Sequence, residues 1–130
     1  MFATLFILLY VAHLLADYPF QTDYQAGHKA DCGVAGWRAN LAHAGTHLLL
    51  SGLVLAVGQA TLDLHVDLLP AVAALLWIAG THAFIDRRWP VARWMRFARQ
   101  TGWAQHGGAA HVDQASHITA ICIAALALAT

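Results

Sequence analysis

Polar residues enter this chain in short blocks, and between the blocks lie four long apolar stretches, over about residues 2–18, 37–57, 68–86 and 112–129. Each approaches the ~20 residues an α-helix needs to cross the hydrocarbon of a bilayer. Each is too long for a strand, and the two-residue alternation of a membrane barrel is missing. The pattern predicts an all-α polytopic membrane protein, one domain over residues 1–130 built as a four-helix transmembrane bundle. The first stretch reads as a span rather than a secretory signal, because no basic segment precedes it and no small-residue cleavage motif follows it. Between the third and fourth stretches, residues 89–103 read W-P-V-A-R-W-M-R-F-A-R-Q-T-G-W. Pro90 suits a first helical turn. Arg93, Arg96 and Arg99 recur on one side, with Trp94, Phe97 and Ala98 largely elsewhere, which predicts a short interfacial amphipathic helix.

Composition sharpens this reading. Residues are 59% hydrophobic and 11% charged, against about 25% charged in a soluble domain. The formal net charge of +0 lacks the basic excess of a nucleic-acid binder. Glutamate is absent, so any carboxylate chemistry falls to the seven aspartates. Cys32 and Cys122 match no zinc or redox spacing, and neither is expected in a disulfide. The basic residues give an orientation. Lys29 and Arg38 flank the first loop, and Arg87, Arg88, Arg93, Arg96 and Arg99 follow the third stretch, while residues 58–67 and both termini carry none. The positive-inside rule then puts the first and third loops in the cytoplasm and both termini outside, in the inner membrane.

The candidate chemistry lies in four pairs with one spacing: His13/Asp17, His43/His47, His82/Asp86 and Asp113/His117. Residues four apart share a helix face, roughly 6 Å apart along the axis. In the inferred topology all eight fall in the cytoplasmic half of the bundle. A central Asp costs about 2.5–3.5 kcal/mol on insertion scales, so ionisable groups inside a membrane mark functional sites. Five imidazoles and three carboxylates suit one or two divalent transition-metal ions, zinc first, with manganese or iron as alternatives. The plainer reading is that the pairs only hydrogen-bond one another and hold the helices together. A haem site would leave the aspartates unexplained. Thr46, Thr81 and Gln114 stand beside the pairs as hydrogen-bond partners.

The strings H-L-L-A-D (13–17), Q-T-D (21–23), H-A-G-T-H (43–47), T-H-A-F-I-D (81–86) and V-D-Q-A-S-H (112–117) together resemble domain-of-unknown-function family 3307. That resemblance implies a small integral membrane protein of bacterial or phage origin and implies no particular activity. A looser likeness, in His/Asp content and helical membrane character, links the chain to membrane-bound metal-dependent hydrolases by analogy alone. The expected function is a metal-binding membrane protein acting as a hydrolase on a phosphoester or lipid-linked substrate. Asp17, Asp86 or Asp113 would serve as base. Asp23 would reach the centre from the first loop, and Arg93 and Arg96 would gather an anionic substrate. The alternatives are a metal-ion or proton transporter, and a structural or regulatory protein such as a phage lysis or exclusion factor. The apolar outer halves of the spans speak against a full polar path within one protomer. The expected partners are the lipid bilayer and that substrate, with oligomerisation left open. His28, His65, His106 and His111 are read as surface histidines.

Overall fold

The first apolar stretch forms helix α1, Phe2–Asp17, in the computed structural model, which describes residues 1–130. Pro19 cannot continue the hydrogen-bond ladder, and α1 stops before it. Helix α2, Asp23–His28, follows at once. The Thr22 hydroxyl accepts from the Gln25 backbone N–H and the Gln25 side chain accepts from the Thr22 N–H. This reciprocal capping is the physical reason a six-residue helix forms there. Helix α3, Gly33–Thr61, extends the second apolar stretch by a turn at each end; its 29 residues reach about 43 Å at 1.5 Å per residue. Helix α4 is Leu68–Ile85 and helix α5 is Trp89–Phe97. A single turn, α6 (Thr101–Trp103), then leads through a wider π-type turn at Ala104–Gly108 into α7, Ala109–Ala129. The chain contains helices and no strands.

One predicted element is corrected. Residues 89–103 are not a single amphipathic helix. Helix α5 ends at Phe97, and Arg99 takes a positive φ of 56°, which breaks the ladder. Gly102 and Trp103 belong to the entry of the last long helical run instead. Within α5, Val91 and Met95 are buried one turn apart, while Arg93, Trp94, Arg96 and Phe97 are exposed, so its amphipathic character holds over the shorter length.

Three helical runs, Gly33–Thr61, Leu68–Ile85 and Thr101–Ala129, are long and apolar enough to cross a membrane; α1 is a shorter apolar helix. The four long helices close a ring in which α1 and α4 each pack against both α3 and α7. The end of α1 meets the first half of α3, and the end of α4 meets the start of α7, so helices consecutive around the ring run antiparallel. One end of the ring is filled by Leu5, Leu9, Leu55, Ile78, Ile121 and Leu128 with small alanines between them, and Leu64 of the α3–α4 connection caps it. The outside is apolar too: Ile7, Leu49, Leu53, Leu68, Leu76 and Leu126 are all more than half exposed. A continuous apolar exterior of this kind needs a non-aqueous surround. Buried polar residues collect at the opposite end from Leu64.

Candidate metal centre

Each long helix delivers one polar pair to that end. The i, i+4 spacing turns both members of each pair inward, and the neighbours that would face lipid are apolar. His13, His43, His47, His82 and His117 are each at most 2% exposed, and Asp86 is 3% exposed. Asp113 stands at the rim, with a quarter of its side chain open.

The imidazoles converge through their Nε2 atoms on two carboxylates. Asp17 Oδ1 has His43 Nε2 and His47 Nε2 at 3.1 Å and His82 Nε2 at 3.6 Å, and its Oδ2 has His13 Nε2 at 3.2 Å. Asp86 Oδ2 has His82 Nε2 at 3.1 Å and His43 Nε2 at 3.5 Å, while its Oδ1 lies 3.7 Å from His117 Nε2. His117 Nε2 is also 3.5 Å from Asp113 Oδ2. The donor atoms fall into three overlapping groups, each within 4.8 Å: His13, Asp17, His47 and His82; His43, His82 and Asp86; and Asp86, Asp113 and His117. His82 and Asp86 are shared between groups, which makes them the natural bridge of a two-centre arrangement.

Proximity here exceeds hydrogen bonding. His82 Nε2 and His117 Nε2 are buried with no hydrogen-bond partner, although carboxylate oxygens crowd around them. Buried polar atoms are almost always satisfied, so such a cluster of exceptions calls for a specific cause. The rings are also stacked, His47 on His82 with centroids 3.5 Å apart and His82 on His117 at 4.1 Å. Face-to-face imidazolium cations at that separation would repel strongly in an apolar interior.

Several supporting residues lie outside the four pairs. Gln114 donates through Nε2 to Asp17 Oδ2 at 3.2 Å, and its Oε1 is 3.3 Å from His13 Nε2. Lys29 Nζ reaches Asp86 Oδ2 at 3.0 Å; read from the sequence, Lys29 served only to orient the chain. Its place is built by two other side chains. Asn40, fully buried, donates to the carbonyls of Lys29 and Ala83, and Arg87 donates to the carbonyls of Lys29 and Asp31. The Arg87 guanidinium also stacks over Trp37, 4.6 Å from the ring centroid. A signal for Asn40 exists in the sequence: Asn40, His43, His47 and Ser51 form a polar stripe at spacings of three, four and four, and all four are buried. Thr46 and Thr81 bond to the carbonyls of Ala42 and Trp77 on their own helices and do not join the centre.

The expected substrate contacts stand elsewhere. Asp23 is exposed in the first turn of α2. Arg93 lies on the outer side of α5 beside Phe84, Trp89 and Phe97, and Arg96 is exposed. The space that does adjoin the centre is a cavity of about 440 Å³ between α5 and the entry of α7, with Lys29, Asp86 and Asp113 at its base and Val91, Met95, Ala104 and Ala109 among its walls.

Fold and site together define an α-helical membrane protein with a buried His/Asp centre at one end of its helix ring, a centre able to hold a metal ion. The chain belongs to the family described as Protein of unknown function (DUF3307), which it matches over residues 5–130. No curated protein and no solved structure matches it.

Proposed function

We propose that this protein is a four-span metalloprotein of the inner membrane whose centre serves hydrolysis of a phosphoester or lipid-linked substrate at the cytoplasmic face. The single observation that carries the metal reading is the convergence of five Nε2 atoms on Asp17 and Asp86, with His82 Nε2 and His117 Nε2 buried without a hydrogen bond. Donors on a tetrahedral ion with bonds of about 2.0–2.1 Å stand about 3.3 Å apart. The separations of 3.1–3.7 Å around the two carboxylates fit that value. Charge points the same way. With neutral imidazoles, Asp17, Asp86 and Asp113 against Lys29 leave two net negative charges in the apolar bundle, and a divalent cation cancels them. His13, Asp17, His47 and His82 would form one set of ligands, and Asp86, Asp113 and His117 the other, with His43 between. Zinc is the ion first expected, with manganese or iron as alternatives.

Such an ion supplies Lewis acidity and a water acidified toward neutrality. The residues supply the rest. Asp113, the less buried of the two carboxylates that line the cavity, would accept a proton from an entering water. Gln114 fixes Asp17 and His13. The apolar plug around Leu5, Leu9, Leu55 and Leu128 closes the opposite end, which favours a one-sided reaction centre over a transport path. In this reading α1 is the fourth span although its 16 residues reach only about 24 Å, α5 lies at the cytoplasmic interface, and both termini are outside, the orientation that the basic residues favour.

The test is elemental analysis of the full-length protein purified in detergent without added metal, beside His47→Ala and His82→Ala. One or two equivalents of a transition metal, lost in both variants, are expected. Wild-type protein free of metal and unable to take up zinc, manganese or iron would reduce the centre to a hydrogen-bonded structural core.

A further inference from the structure

The cavity between α5 and α7 differs from the rest of the surface in joining three chemistries. Its base is the Asp86–Asp113 edge of the centre, its cations are Lys29 and Arg88, and its walls are Val91, Ala92, Met95, Ala104, Ala109 and Ala110. Lys29 is mostly buried, with its side chain 15% exposed, and it is held by carbonyl contacts from Asn40 and Arg87. Burying an ammonium in this way is costly unless a partner is present. Asp86 is that partner here, yet Asp86 is also among the donors of the centre. Arg88, exposed at the turn before α5, lines the same cavity. Two cations at a carboxylate edge, the mostly buried Lys29 and the exposed Arg88, beside apolar walls form a site for an anion that carries an apolar tail. A free inorganic anion would gain nothing from the walls, and a neutral lipid nothing from the cations.

We infer that this cavity binds the phosphate headgroup of an amphiphile, with Lys29 and Arg88 as its anion contacts and the α5–α7 wall receiving the first methylenes of its chain. Its volume suits such a headgroup, since small-molecule sites run from about 300 to 1,000 Å³. The aromatic side chains of Trp89, Trp94 and Trp103 are each about half exposed around the same end of the molecule, where interfacial aromatics sit at headgroup depth. The Lys29 ammonium meets Asp86 Oδ2 with one of its three donors, which leaves others for the phosphate, and charge-assisted hydrogen bonds of this type are about twice as strong as neutral ones. The inference rests on the membrane and metal-centre reading for the reaction that follows, while the binding step stands on the cavity alone.

The test titrates full-length protein in detergent micelles with dihexanoyl phosphatidic acid, with dihexanoylglycerol and with inorganic phosphate, and measures metal content on the same samples. The phosphatidic acid is expected to bind at least tenfold more tightly than either fragment. Lys29→Met/Arg88→Asn should weaken it at least tenfold. Ala92→Phe, which fills the hollow from an exposed position and so spares the core, should do the same. Arg38→Gln, on the far side of α3, should change it less than twofold. Inorganic phosphate binding as tightly as the lipid would overturn the amphiphile, and the glycerol binding as tightly would overturn the anion contacts. Unchanged lipid binding in both cavity variants would overturn the site. Metal-free protein that binds the lipid and loses it in these variants would sink the metal reading and leave this inference standing; metal-loaded protein that ignores the lipid would do the reverse.

Discussion

Replacing His82 with alanine separates the two terms that hold the centre together. Its ring lies between those of His47 and His117, and its Nε2 faces both Asp17 and Asp86. Removing it leaves a residual void of roughly 50–80 Å³, which at about 24 cal/mol per Å³ costs about 1.2–1.9 kcal/mol. That cost is present with or without metal. The second term is linkage. An ion held at a free concentration 100-fold above its Kd stabilises the native state by about 2.7 kcal/mol, and a hundredfold loss of affinity removes most of that. His82→Ala should therefore cost about 4 kcal/mol in zinc-buffered solution and about 1.5 kcal/mol under chelator. Unfolding in detergent, followed by circular dichroism at fixed free zinc and again with EDTA, measures both. An equal cost in the two conditions, together with a wild-type midpoint that EDTA does not move, would refute a bound ion as the reason these rings converge.

Three further outcomes follow from particular contacts. Asn40→Ala removes the side-chain bond to the Ala83 carbonyl and leaves the Lys29 carbonyl to Arg87 alone, so it should lower unfolding stability by about 1–2 kcal/mol; a change below about 0.5 kcal/mol would mean that Asn40 holds nothing in place. Gly108→Ala would drive a methyl group into the Trp103 ring and should cost about 1–3 kcal/mol, while Gly108→Ala/Trp103→Ala should recover part of the loss in a double-mutant cycle; strict additivity would show that the two do not press on each other. Cys32 is exposed in the first loop and Cys122 lies partly buried in α7, so an impermeant maleimide should label the wild-type protein at Cys32 in inverted membrane vesicles and not in intact spheroplasts; the opposite pattern would invert the proposed topology.

The elements legible in the sequence are those whose cause is local or periodic. Four apolar stretches became four apolar helices, three of them long enough to cross a membrane, because every backbone polar group must be satisfied within the segment where no water competes for it. The eight pair residues could be placed together because a four-residue spacing fixes a face, and the basic loops fixed a common depth. What escaped depends on distant parts of the chain. Lys29 meets Asp86 only after the α1–α3 connection folds back over α4, and nothing near Lys29 announces it. The break at Arg99 is a backbone conformation imposed as α5 turns into the last helix, so periodicity carried the predicted helix through it to Trp103. The sides of α5 also depend on distant contacts: it buries the Val91/Met95 face, and Arg93 and Arg96 are exposed and do not line the cavity. Two local signals were present and passed over: the capping pattern Thr22–Gln25 and the polar stripe from Asn40 to Ser51.

The distribution of one polar pair to each of four helices governs how the protein can be made. In the proposed four-span arrangement α1, α3 and α4 would enter the bilayer before α7 exists, each with ionisable groups whose partners are still missing. Gln114 and His117, which complete the surroundings of His13, Asp17 and Asp86, arrive only with that last helix. Until then intermediates hold charge in hydrocarbon at a cost of a few kcal/mol per group, so they remain marginally inserted and open to quality-control proteases. Docking of α7 is thus the committing step of biogenesis. A chain ending before Ala109 should turn over several-fold faster than the full chain in a pulse-chase experiment, and equal half-lives would show that the first three helices are self-sufficient.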